Sequence, residues 1–130
     1  VNLLTSRLPK SSPVKPLILC IDDNEVYLRL RKAVLEQHGF RVLAASTGDQ
    51  ALEMLREAPI CLTISDHMLR GTTGTELAKA MKKIKPHVPI VIYSGRVPDT
   101  LQNVDAFINK DEPTTTFLKM IQDLVERFRA

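Results

Sequence analysis

Five short apolar runs, at residues 17–21, 42–45, 62–65, 90–93 and 104–108, constrain this chain more than any other feature. They are rich in Ile, Val and Leu and show no strict polar alternation, which is the pattern of strands buried on both faces. Helical periods lie between them: Val26, Leu30 and Ala33/Val34; the shorter set Ala51, Leu52 and Leu55; Leu77, Met81 and Ile84; and Phe117, Ile121, Leu124/Val125 and Phe128. Thr47 with Gln50 and Thr73 with Glu76 fit capping boxes, and Gly39 stands where a left-handed helix end is wanted. The order β-α-β-α-β-α-β-(short segment)-β-α predicts an α/β domain, a parallel sheet with helices on both faces.

Length and charge narrow the reading. The 130 residues suit one domain, and 44% apolar with 25% charged residues excludes a disordered chain. No apolar run approaches the ~20 residues of a membrane span, nor is there a signal-peptide core. Residues 1–16 read as a basic Pro/Ser-containing tail or linker, and residues 17–130 as the domain. The chain begins at Val1, so it is expected to be trimmed or cut from something longer. Three of the 18 basic residues (Arg7, Lys10, Lys15) belong to that tail, and the other fifteen match the 15 acids one for one. The net charge of +3 therefore says nothing for nucleic acid binding by the domain. Cys20 and Cys61 sit in or beside apolar runs and read as buried thiols of a reducing, cytoplasmic protein.

In an open parallel sheet, ligands bind beyond the carboxyl ends of the strands, where strand order reverses. Asp22, Asp23 and Asn24 follow the first run, Asp66 the third, Ser94 and Gly95 the fourth, and Asn109 and Lys110 the fifth. Three converging carboxylates repel one another unless a cation neutralises them, and a hard cation with few protein ligands suits Mg²⁺. A carboxylate can attack phosphorus, with the metal and a fixed Lys offsetting charge on the phosphoryl group. Each feature alone has a plainer reading: a helix cap at 22–24, a turn at Asp66 or at Ser94-Gly95, a solvated Lys110. Together, at the ends of successive strands, they favour a phosphoryl-transfer site.

The stretches "LILCIDDNE", "LTISDHMLRGTTGTEL", "IVIYSG" and "DAFINKDEP" resemble the receiver domain of two-component response regulators, over residues 17–129. The resemblance implies a flavodoxin-like, doubly wound five-stranded sheet of order 2-1-3-4-5. It makes Asp66 the phosphoacceptor, with a glycine, Gly74, eight residues on. Asp23, Asp66 and the Met68 carbonyl would hold Mg²⁺ directly, and Asp22 through water. Lys110 and Ser94 would bind the phosphoryl group, with the backbone at His67 and Gly95, while Ser94 and Phe107 would act as switch residues. The partner would be a sensor histidine kinase or phosphotransfer protein, with no nucleic acid or membrane contact by this domain. The chain would turn over no external substrate and would catalyse only its own phosphorylation and dephosphorylation.

The sequence departs from the family at three places. Arg70 and Asp111 stand where proline is usual, and the segment between the fourth and fifth strands leaves room only for a shortened fourth helix, near 97–103, with Pro98 inside it. These departures support an alternative, a pseudo-receiver acting as a phosphorylation-independent interaction module. Enzymes of similar architecture fit poorly. Haloacid-dehalogenase-like phosphatases need acids two apart, flavodoxins a hydroxyl-rich phosphate loop, and P-loop NTPases a Gly-rich loop ahead of the first glycine here, Gly39. The imidazole of His67 is expected at the rim, and His38 and His87 at the surface. The run Lys79, Lys82, Lys83 and Lys85 is expected as a solvated helix face, and Met54, Met68, Met81 and Met120 as packing residues.

Overall fold

A computed structural model describes residues 14–128. All but the last three residues of the expected tail lie outside them. Strands β1 (Leu17–Ile21), β2 (Arg41–Ala45), β3 (Leu62–Ser65), β6 (Ile90–Ser94) and β7 (Ala106–Asn109) form one parallel sheet of order β2-β1-β3-β6-β7. That is the expected 2-1-3-4-5 order. The extra numbers belong to a two-residue-per-strand hairpin, β4 (Met68–Leu69) with β5 (Thr72–Thr73). Helices α1 (Glu25–Gln37) and α4 (Thr114–Phe128) cover one face, and α2 (Gly48–Glu57) and α3 (Gly74–Ile84) the other. Side chains of β1 divide between them: Ile18 and Cys20 meet α1 and α4, while Leu17, Leu19 and Ile21 meet α2 and α3. Of the three inner strands, β1 and β3 are buried along their whole length and β6 at all but Tyr93, as runs without polar alternation require.

The helix starts are set by side-chain caps. Asn24 Oδ1 accepts the N–H groups of Val26 and Tyr27, Thr47 Oγ1 that of Gln50, and Thr73 Oγ1 that of Glu76. Gly39 ends α1 at φ +92°.

The period Val26, Leu30, Ala33/Val34 does lie on a helix, but Val26, Leu30 and Ala33 are exposed, Val34 alone of the set packs against the core, and α1 buries Leu28, Arg31 and Leu35. Three expectations need correction. The segment between β6 and β7 is reduced further than expected, to turns with no helix, because Pro98 interrupts it and Asn103 adopts φ +66°. The basic run of α3 is only half solvated. Lys82 Nζ donates to Asp105 Oδ2 at 2.8 Å and to Val88 O, and Lys85 Nζ donates to Ala58 O. Met68 is exposed rather than packed. Among the described residues no helix is long and apolar enough to cross a membrane.

Candidate functional site

The sheet order reverses between β1 and β3, and the acids lie at that crevice. The ladder continues just past the strands and fixes them there: Asp22 N–H donates to Ala45 O, and Asp66 N–H to Ile21 O. One carboxylate oxygen from each of Asp22, Asp23 and Asp66 can lie within 4.8 Å of the others.

Lys110 reaches this group across one strand, β6. It follows β7, its N–H donates to Ser94 O, and its Nζ donates to Asp66 Oδ2 at 3.1 Å. All peptide bonds among the described residues are trans, so Lys110 reaches Asp66 with Asp111, not proline, after it. The Asp111 N–H is tied to Asn109 Oδ1. The other oxygen of Asp66, Oδ1, accepts the His67 N–H at 2.7 Å. Ser94 is buried and its Oγ accepts the Arg96 N–H at 3.4 Å. Gly95 is exposed beside it, and Phe107 is half-buried opposite Ile92 in the β6–β7 ladder. A Cβ on Gly74 would lie 2.6 Å from Asp66 O and 2.7 Å from Ile92 Cδ1, so only glycine lets α3 start this close to the Asp66 loop.

Two arginines belong to the site and neither was singled out for it from the sequence. Arg31, from the buried side of α1, donates through Nη1 and Nη2 to Asp22 Oδ2, both at 3.2 Å. Its guanidinium lies 4.9 Å from the Tyr93 ring centroid, and Tyr93 packs on Phe117 with centroids 4.6 Å apart. Arg70, in the β4–β5 turn, places Nε 4.0 Å from Asp23 Oδ2. Three carboxylates thus face three cations, counting Lys110. A signal for Arg31 was present: it sits between Leu28 and Leu35 on one helical stripe, where a charge needs a buried partner.

The donor set suits a hard divalent ion. Asp23 and Asp66 offer carboxylate oxygens that are partly open to water, which lets water complete an octahedral shell. Cys20, under the crevice, is a neutral thiol. Burial pushes it up to about 12, with Arg31 opposing and Asp22 adding to the shift.

Comparison with known proteins shows the family and the fold. Residues 18–122 match the family model described as the response regulator receiver domain. The chain is 33% identical over 98 residues to the two-component response regulator ORR5 of Oryza sativa subsp. japonica, covering 73% of this chain and 69% of that protein. It is 28% identical over 116 residues to the transcriptional regulatory protein GlrR of Escherichia coli K12, covering 85% of this chain. The match spans only 26% of GlrR's length. A receiver domain crystal structure from Methanospirillum hungatei superposes with a TM-score of 0.80 at 25% identity, covering 88% of this chain and 97% of that one.

Proposed function

Since the chain belongs to the response regulator receiver domain family of two-component systems, we propose that it is a switch phosphorylated on Asp66. The observation that carries this reading is the Lys110 ammonium held 3.1 Å from Asp66 Oδ2, beside Asp23, at the topological switch point. A carboxylate oxygen of Asp66 forms a bond to phosphorus while the P–N bond of a donor phosphohistidine breaks. The electron pair leaves on the imidazole, which takes up a proton. Lys110 offsets the charge on the phosphoryl oxygens, the His67 N–H and the backbone by Gly95 supply donors, and the Ser94 hydroxyl turns from the Arg96 N–H to a phosphoryl oxygen. Asp23, Asp66 and the Met68 carbonyl are the groups that would hold Mg²⁺, which supplies charge neutralisation to the transferred group when bound.

Ser94 and Phe107 read out the change. The donor is a cytoplasmic sensor histidine kinase or phosphotransfer protein, and it would dock over the exposed apolar side chains Val26, Tyr27 and Leu30 next to the crevice. No external substrate is turned over.

The test is incubation with acetyl phosphate and Mg²⁺ followed by intact mass. One phosphoryl group is expected on the wild type and none on Asp66→Asn. Phosphorylation that survives in Asp66→Asn would move the acceptor elsewhere. The three-to-three match of acids and cations favours a second reading, a charge-compensated module that works without phosphorylation. Beryllium fluoride with Mg²⁺ separates the two, because saturable binding at Asp66 belongs only to the first.

A further inference from the structure

Of the three acids in the crevice, Asp22 alone is fully buried, at 0% exposure. Its Oδ2 accepts two N–H groups from Arg31, and its Oδ1 accepts the Asn24 N–H at 2.9 Å. The Arg31 side chain is itself only 8% exposed, pinned by Tyr93, which in turn is packed on Phe117. A carboxylate engaged in this way has little to offer a hydrated cation, although one of its oxygens lies within 4.8 Å of those of Asp23 and Asp66, because its charge is already paired and both of its oxygens already accept hydrogen bonds. The geometry also orders the competition for Lys110, whose Nζ lies 3.9 Å from Asp22 Oδ2 but 3.1 Å from Asp66 Oδ2.

We infer that Arg31 is a positioning residue that holds Asp22 as a fixed internal counter-ion. It thereby confines the cation site to Asp23 and Asp66 and leaves Lys110 to Asp66. The inference rests on the switch reading above and changes one part of it, since Asp22 is then no ligand to Mg²⁺, even through water.

Mg²⁺ binding to the whole chain, followed by calorimetry or amide NMR shifts, tests it. Arg31→Met releases a carboxylate toward the site and should tighten Mg²⁺ about tenfold; a residue that only supported the fold would leave affinity unchanged or weaken it. The double variant Asp22→Asn/Arg31→Met removes the pair as a unit, is the safer variant to fold, and should bind within about threefold of wild type. Arg31→Met no tighter than wild type, or a double variant weakened tenfold, overturns the inference. Asp23→Asn, run alongside, should lose binding. If it binds as wild type does, the metal is not in this crevice, and the switch reading falls together with the role of Arg31. Phosphorylation of the wild type by acetyl phosphate, measured separately, shows whether the switch stands when only the Arg31 variants fail.

Discussion

Asp22 and Asp23 are neighbours, and each faces an arginine. Arg31 reaches Asp22 from inside α1 with two N–H groups at 3.2 Å, the side chains 8% and 1% exposed. Arg70 reaches Asp23 from the β4–β5 turn at 4.0 Å, the side chains 89% and 27% exposed. Water decides what each pair is worth. Two charges taken out of water need each other, so removing one leaves the other unpaired at a cost of about 3–5 kcal/mol, whereas an exposed pair contributes about 0–1 kcal/mol. The crevice thus has a fixed side, at β1 and α1, and a solvated side, at the hairpin.

The largest effect should fall on the fixed side. Arg31→Met should lower unfolding free energy by about 3 kcal/mol in urea titrations without Mg²⁺, and Asp22→Asn/Arg31→Met should recover most of it, since both charges are then gone. A loss below about 1 kcal/mol would show that water or Lys110 reaches Asp22 readily, and the contrast between the two pairs would collapse.

Tyr93 comes next. Its ring takes the Arg31 guanidinium on one contact and Phe117 on another, so Tyr93→Leu should cost about 1–2 kcal/mol, while Tyr93→Phe keeps the ring and should be near neutral. In a double-mutant cycle, part of the Tyr93→Leu loss should vanish when Arg31 is already Met. Strict additivity would mean that the ring does not hold the guanidinium.

The fixed side also holds Cys20, whose thiol burial pushes up to about 12. A group raised in the folded state contributes stability that is present below its ordinary value near 9 and lost as pH rises toward 12. Stability should therefore fall less steeply from pH 9 to 12 in Cys20→Ala than in wild type, read as urea midpoints. Parallel curves would show that the folded protein lets the Cys20 thiolate form.

The sheet was legible because apolar runs without alternation have few other uses, and the rim acids followed from where such strands end. The signal for Arg31, its place between Leu28 and Leu35, was outranked for a specific reason. Two stripes compete on α1, and the one holding Leu28 and Leu35 is interrupted by the arginine itself, so Val26, Leu30 and Val34 look more apolar although Val26 and Leu30 face water. Periodicity ranks stripes by hydropathy and cannot see that a buried Asp22 lies within reach. The same blindness hid Lys82 and Lys85, whose ammonium groups satisfy Asp105, Val88 and Ala58. The segment joining β6 and β7 was read as too short for a full helix, but turn geometry at Asn103, with positive φ, is a choice that several residue types allow.

The smallest effect belongs to the solvated pair. Arg70 is where the family usually has proline, and it lies over Asp23 at 4.0 Å, too far for a hydrogen bond to fix it. Arg70→Ala should change stability by no more than about 0.5 kcal/mol. It removes a cation near a carboxylate of the metal site, so Mg²⁺ should bind about twofold tighter at low salt. That gain should disappear near 1 M salt, where the screening length is about 3 Å and shorter than the 4.0 Å pair. The tenfold gain of Arg31→Met should survive the same salt, because its charges are screened by protein rather than by ions. Calorimetry at two ionic strengths on both variants reads the difference directly. A salt-insensitive gain in Arg70→Ala would mean that Arg70 is as firmly held as Arg31, and the division of the crevice into a fixed and a solvated side would not stand.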